Sequence, residues 1–167
     1  AKLLGDVKGK RVFDLCAAPG GKTLQLAAMG ADVLAVDRSS RRLKRLERNM
    51  ERLGLYGDVA VADITGWTPP FTPDAILLDP PCTATGTIRR HPDILHAKGL
   101  GDLHKLTTLQ AKLLAKATSM LQPGGRLVYC TCSQQTEEGE AQVARALAEL
   151  PLERDPVTAD ELGGLDK

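Results

Sequence analysis

Asp14-Leu15-Cys16-Ala17-Ala18-Pro19-Gly20-Gly21-Lys22-Thr23 is the stretch that decides the fold. The run Arg11 to Leu15 leading into it predicts a strand, and Leu24 to Met29 after it reads as a helix ended by Gly30. A strand that turns through small residues into a helix sets unsatisfied backbone N–H groups beside a Cβ-poor loop, so a ligand can approach closely. A phosphate loop fails on spacing although Gly-Lys-Thr is present: that pattern requires a glycine about five residues before Gly21, where Cys16 stands. The plain alternative is a tight turn with no ligand.

Working outward, short apolar runs alternate with longer helical patterns, the signature of βαβ units and a parallel sheet. Strands are predicted at Arg11 to Leu15, Val33 to Asp37, Asp58 to Ala62, Ala75 to Asp79 and Arg126 to Thr131, with a weaker sixth near Leu152 to Val157. Several are continuously apolar, as strands covered on both faces are. Ser40 to Leu53 puts Leu43, Leu46, Met50 and Leu53 on one helical stripe, with a serine cap before it and Gly54 after it. Further helices are expected from about Leu103 to Leu121, stopped by Pro123-Gly124-Gly125, and from Glu137 to Leu150, stopped by Pro151. The fold class is therefore α/β, a doubly wound, mostly parallel sheet. With 167 residues the chain reads as one domain spanning residues 1–167.

Acids close the strands. Asp37 ends the second, Asp63 follows the third and Asp79 ends the fourth. Open α/β sheets bind ligands at this carboxyl edge, and an acid after the second strand is placed to accept ribose hydroxyls. The three-glycine dinucleotide turn is absent, so three such acids fit a nucleoside better than a pyrophosphate. Each acid alone reads equally as a solvated loop residue. The same edge carries thiols, in Leu78-Asp79-Pro80-Pro81-Cys82-Thr83 and in Tyr129-Cys130-Thr131-Cys132-Ser133. If strands four and five are neighbours, Cys82 and Cys132 share one crevice with Asp79.

Composition excludes some classes. No apolar run approaches the roughly 20 residues of a membrane span, and the 4 scattered cysteines read as cytosolic thiols rather than a disulfide framework or a metal site. Of these, Cys16 and Cys130 read as small buried hydrophobes. The net charge of +1 says little about a polyanionic partner, yet basic residues bunch at Arg38, Arg41, Arg42, Lys44, Arg45 and Arg48, and again at Arg89 and Arg90. The chain opens on Ala1 without a signal-peptide pattern, and a domain cut from something longer is expected.

Asp-Leu-Cys-Ala-Ala-Pro-Gly-Gly-Lys-Thr, Asp-Pro-Pro-Cys and Thr-Cys-Ser in this order resemble the Sun/Nop2 family of RNA cytosine-5 methyltransferases over roughly Val12 to Val143. The segment Gly86-Thr87-Ile88-Arg89-Arg90-His91-Pro92-Asp93-Ile94 looks like the bacterial Sun (Fmu) branch, which acts on small-subunit ribosomal RNA. The resemblance implies a Rossmann-like, S-adenosylmethionine-dependent enzyme, cytoplasmic and monomeric, without metal or membrane. It implies that Cys16, Ala17, Ala18, Pro19, Gly20, Gly21 and Lys22 contact the methionine part of the cofactor, Asp37 the ribose, Asp63 the adenine, and Asp79 the border between cofactor and base. Cys132 takes the nucleophile's place and Cys82 that of the product-release cysteine. Pro80 and Thr83 depart from the family's usual alanine and serine. An RNA-binding region before this point and a closing Asp-Gly-Phe-Phe strand after it are expected to be missing, leaving an open sheet edge.

The chemistry gives the thiols a purpose. Carbon 5 of cytosine is a poor nucleophile until a thiolate adds to carbon 6, so nucleophilic catalysis must precede methyl transfer. The attacking thiol is expected in a positive or dipolar environment that favours thiolate. The target base must be unpaired or flipped out, which suits a single-stranded RNA loop, with Arg89, Arg90 and His91 on its phosphates. Two rivals remain: an amino-group methyltransferase, which would put an aromatic residue where Cys82 stands, and a cofactor-binding RNA module without activity.

Overall fold

The computed structural model describes residues 1–94 and 100–158 of the chain. Five strands form one parallel sheet: β1 (Arg11–Leu15), β2 (Asp32–Asp37), β3 (Asp58–Val61), β4 (Ala75–Leu78) and β5 (Arg126–Tyr129), in the order β3-β2-β1-β4-β5. The order reverses at β1, from which the chain runs first to one edge and then to the other. Phe13 of β1 pairs in register with Leu34 of β2 and with Ile76 of β4. In turn, Leu78 of β4 pairs with Tyr129 of β5. The expected neighbourhood of strands four and five is therefore present.

Helices cover both faces. Val12, Val33, Ala35, Ala75 and Leu77 alternate onto one face, packed by Leu26 of α1 (Gly21–Ala28) and by Leu43, Leu46 and Met50 of α2 (Ser40–Leu53). Phe13, Leu15, Leu34, Val36, Ile76 and Leu78 take the other face. They meet Leu113, Leu114, Ala117 and Met120 of α3 (Leu100–Met120) and Ala146 of α4 (Glu140–Glu149). The crossover from β3 to β4 contains no helix. Trp67 and Phe71 fill that space instead, with ring centroids 5.5 Å and 5.1 Å from Phe13, and the Arg11 guanidinium lies 5.2 Å from the Phe71 ring centroid.

The limits of β1 and α2 match the sequence reading because local chemistry sets them. Ser39 caps α2 by accepting from Arg42 N at 3.3 Å, and Gly54 ends it in the left-handed region at φ 63°. Elsewhere the expectations shift. Helix α1 starts at Gly21 rather than Leu24, α4 starts at Glu140 rather than Glu137, and residues Thr136–Glu138 form a separate 3-10 turn. The expected sixth strand near Leu152 to Val157 is not a strand. Pro151 and Pro156 each remove a ladder donor, and Leu152 N turns back to Leu150 O. Strand β5 is an edge among the described residues, with Arg126 tied sideways to Leu3 O and to Asp155.

Candidate active site

The turn after β1 takes its shape from close packing. Cys16 sits at φ 64°, Gly20 at φ 105°, and a Cβ on Gly20 would lie 2.5 Å from Leu46 Cγ. Only glycine lets α2 close on the loop at that point. Beneath it Asp14 is fully buried and accepts from Thr23 Oγ1 at 2.5 Å, tying β1 to the first turn of α1. Burial raises the Asp14 carboxyl to about 7, and its second oxygen has no hydrogen-bond partner among the described residues. Cys16 is raised to about 12, chiefly by burial and then by the nearby Asp37 charge. It packs against the larger core cluster.

Asp37 lies at the end of β2 and is only 2% exposed. Its carboxylate accepts from Ala18 N at 3.1 Å and from Ser39 N at 2.9 Å. Arg42 reaches across it, 3.5 Å from Oδ2, and also donates to Ala18 O. No local pattern in the sequence singles out this arginine from the others of α2. Asp63 is exposed and holds an Asx turn, with Thr65 N and Thr65 Oγ1 both donating to its Oδ1. These bonds lower its pKa. Among the described residues both of these bonds fall on Oδ1.

Asp79 leaves β4 with its side chain partly exposed and accepts from Lys22 Nζ at 2.6 Å. Desolvation works against the Lys22 charge, but the hydrogen bond and the charge of Asp79 outweigh it and raise the ammonium pKa. The motif after β1 is thereby bonded to the acid of the motif after β4. Beyond Asp79, Cys82 is buried and its Sγ lies 3.3 Å from Cys132 Sγ. Cys130 points elsewhere: its sulfur contacts Leu78 O at 3.7 Å, it packs with Val12 and Leu77, and burial lifts it to about 12.

One expectation is corrected here. Cys132 does not sit where thiolate is favoured; although the residue is exposed, its pKa is pushed up to about 11 by partial desolvation of the sulfur, then by its hydrogen bond and electrostatic interaction with Cys82 and by the nearby Asp79. The thiol is protonated at neutral pH, and ionisation waits on a change in its surroundings.

The two thiol loops are stitched together. Thr83 Oγ1 and Ser133 Oγ are 2.9 Å apart, Gly86 N donates to Cys132 O at 2.9 Å, and Gln134 N donates to Thr85 Oγ1 at 2.9 Å. A Cβ on Gly86 would lie 2.7 Å from Cys132 O, so the contact requires glycine. Arg89, Arg90 and His91 follow on an exposed turn where Arg90 N and His91 N both bond to Thr87 O. Among the described residues no group of three His, Cys, Asp or Glu could hold a metal ion, and no helix is long and apolar enough to cross a membrane.

A parallel sheet that reverses order at β1, with a small-residue turn and acids along its carboxyl edge, is the fold of S-adenosylmethionine-dependent methyltransferases. The chain belongs to the family described as 16S rRNA methyltransferase RsmB/F, whose profile matches residues 1–163. It is 46% identical over 153 residues to ribosomal RNA small subunit methyltransferase B of Salmonella arizonae, covering 89% of this chain and 36% of that protein. NSun6 from Pyrococcus horikoshii, solved with SFG, superposes with a TM-score of 0.79 at 31% identity, covering 89% of this chain and 39% of its own. A methyltransferase homolog from the same organism gives a TM-score of 0.76 at 34% identity, covering 95% of this chain and 53% of its own. The chain thus spans about a third of the length of the ribosomal relative.

Proposed function

We propose that this chain is the catalytic domain, within residues 1–167, of a cytoplasmic enzyme that methylates carbon 5 of a cytosine in small-subunit ribosomal RNA. The observation that carries the reading is the 3.3 Å separation of the Cys82 and Cys132 sulfurs, beside an acid already paired to the turn after β1. An amino-group methyltransferase has no use for two thiols in contact, since a lone pair attacks without covalent help.

The residues present fit the cofactor. The α1 N-terminus offers backbone donors beside Ala17, Ala18 and Gly20, and the exposed Asp63 carboxylate suits an adenine amino group. Asp37 lies where a ribose would be held, and reaching it requires Arg42 to swing aside. When bound, S-adenosylmethionine supplies an electrophilic methyl group. As the base docks, Cys132 gives its proton to solvent water and adds through sulfur to carbon 6, moving the ring's electron pair toward carbon 5. Asp79, held by Lys22, stands at nitrogen 3, and a proton carried there on its carboxyl group neutralises the charge that develops on the ring. After carbon 5 is alkylated, its proton departs toward the Cys82 sulfur, the ring double bond re-forms and the carbon–sulfur bond to Cys132 breaks. The exposed Arg89, Arg90 and His91 hold RNA phosphates beside the cleft.

The test is an adduct. Cys82→Ala protein incubated with cofactor and under-methylated 16S rRNA should carry RNA through a denaturing gel, and the Cys82→Ala/Cys132→Ala double variant should not. Methylation that survives Cys132→Ala would overturn the covalent route.

A further inference from the structure

Glu138 has no exposed surface, yet no cation lies within ion-pair distance of it among the described residues. A carboxylate in that position is stable only if neutral donors satisfy it. Thr83 N donates to Oε1 at 3.0 Å and to Oε2 at 3.1 Å, Thr83 Oγ1 makes a short bond to Oε2, and Gln110 Nε2 donates to Oε1 at 2.8 Å. Burial acts against its charge, but bonds from Ser133, Thr83 and Gln110 prevail and keep its pKa below the usual value. Its own backbone is fixed as well, since Tyr129 OH donates to Glu138 O at 2.7 Å.

The donors belong to the thiol loops. Thr83 follows Cys82 directly, and Gln110 Nε2 also donates to Pro81 O at 2.9 Å, so both neighbours of Cys82 are held. Thr83 spends its hydroxyl proton on Glu138, and its Oγ1 lies 2.9 Å from the hydroxyl of Ser133, the residue after Cys132, which also bonds to Glu138. One carboxylate therefore orients the hydroxyl bridge between the residues that follow each thiol. A charged acceptor fixes the direction of every donor in such a chain, which a neutral group cannot do as strongly.

We infer that Glu138, seated by Gln110, is the positioning residue that holds the Cys82 sulfur against the Cys132 sulfur and so sets the rate at which the covalent RNA intermediate is released. The last clause rests on the function proposed above; the geometric part does not. Removing the carboxylate frees Thr83 and lets the Cys82 loop drift from the reacting ring, while the turn after β1 and its cofactor contacts stay in place.

Two readouts separate these parts. The first is the equilibrium of the thiol pair with glutathione, in which two thiols and one glutathione disulfide give the Cys82–Cys132 bridge and two reduced glutathiones, with the bridge mapped by mass spectrometry. It reads how closely the loops are held, with no RNA present. Glu138→Ala should lower the effective thiol concentration at least about tenfold, and Glu138→Gln, which keeps the shape and one acceptor, by less. The second is the adduct assay: Glu138→Ala should accumulate RNA adduct as Cys82→Ala does, with kcat reduced and KM for S-adenosylmethionine unchanged. Should Glu138→Ala fail to fold, Thr83→Val removes the same hydroxyl bridge and should show a smaller fall in the thiol equilibrium. An unchanged thiol equilibrium in a folded variant overturns the inference. A lowered equilibrium without RNA adduct in any variant leaves the positioning role standing and defeats the proposed reaction.

Discussion

The two ends of the cleft are built by different means. The turn after β1 is held by main-chain contacts and close packing: Gly20 against Leu46, Ala18 N on Asp37, and a left-handed Cys16. The thiol end is held by side chains reaching between loops that stand 50 residues apart in sequence, through Thr83, Ser133, Glu138 and Gln110. A site made of backbone tolerates changes of charge but not of shape. A site made of crossed side chains tolerates small changes of shape but not loss of a donor or an acceptor. The two ends should therefore fail separately.

The largest separation is expected from Cys132→Ala, which should lower methylation by more than about a thousandfold while calorimetric titration with S-adenosylmethionine stays unchanged. Loss of cofactor binding in that variant would break the comparison. Next comes pH. Since Cys132 is raised to about 11 in the free chain, thiolate grows with pH throughout the accessible range, and kcat/KM for RNA should rise about tenfold per pH unit between neutrality and pH 9 or so. A plateau beginning near pH 7 would place the ionisation elsewhere.

At the other end, Gly20→Val combines a positive φ with overlap onto Leu46. It should cost about 2–4 kcal/mol in denaturant unfolding and weaken the cofactor, leaving the thiol equilibrium near the wild-type value. Asp14 provides a subtler measure. Burial raises it from 3.8 to about 7, so the folded chain keeps a proton that the unfolded chain gives up. Its contribution to stability is full below about pH 4 and is lost as pH rises toward about 7. Asp14→Asn, which can still accept from Thr23, should flatten that fall and be more stable than the parent at about pH 8, by an amount on the order of a few kcal/mol. The smallest effect is expected for Arg126→Ala, whose surface pair with Asp155 is worth no more than about 1 kcal/mol in thermal unfolding.

What the sequence made legible follows the same division. The turn after β1 is contiguous, and its glycines, its flanking strand and the caps of α2 are local signals, so they could be read residue by residue. The meeting of Cys82 and Cys132 could be stated only conditionally, because it depends on β4 and β5 being neighbours. Glu138 was out of reach: an acid among Thr136, Glu137 and Glu140 looks like a solvated helix start, and only the fold turns it inward. The Cys132 environment was misread for a related reason. A nucleophile's role suggests a depressed pKa, whereas Cys132, though exposed, has Cys82 and Asp79 as neighbours that raise it. Arg42 on Asp37 likewise depends on how α2 lies over the turn.

Trp67 is the single tryptophan of the chain, and its seat against Phe13 gives the protein an optical probe of its own. Indole emission records the opening of the corner where two aromatic rings do the work of a crossover helix. Circular dichroism records the helices on both faces. Unfolding curves that coincide mean that this corner opens only with the whole domain, and an earlier fluorescence transition means that it loosens first.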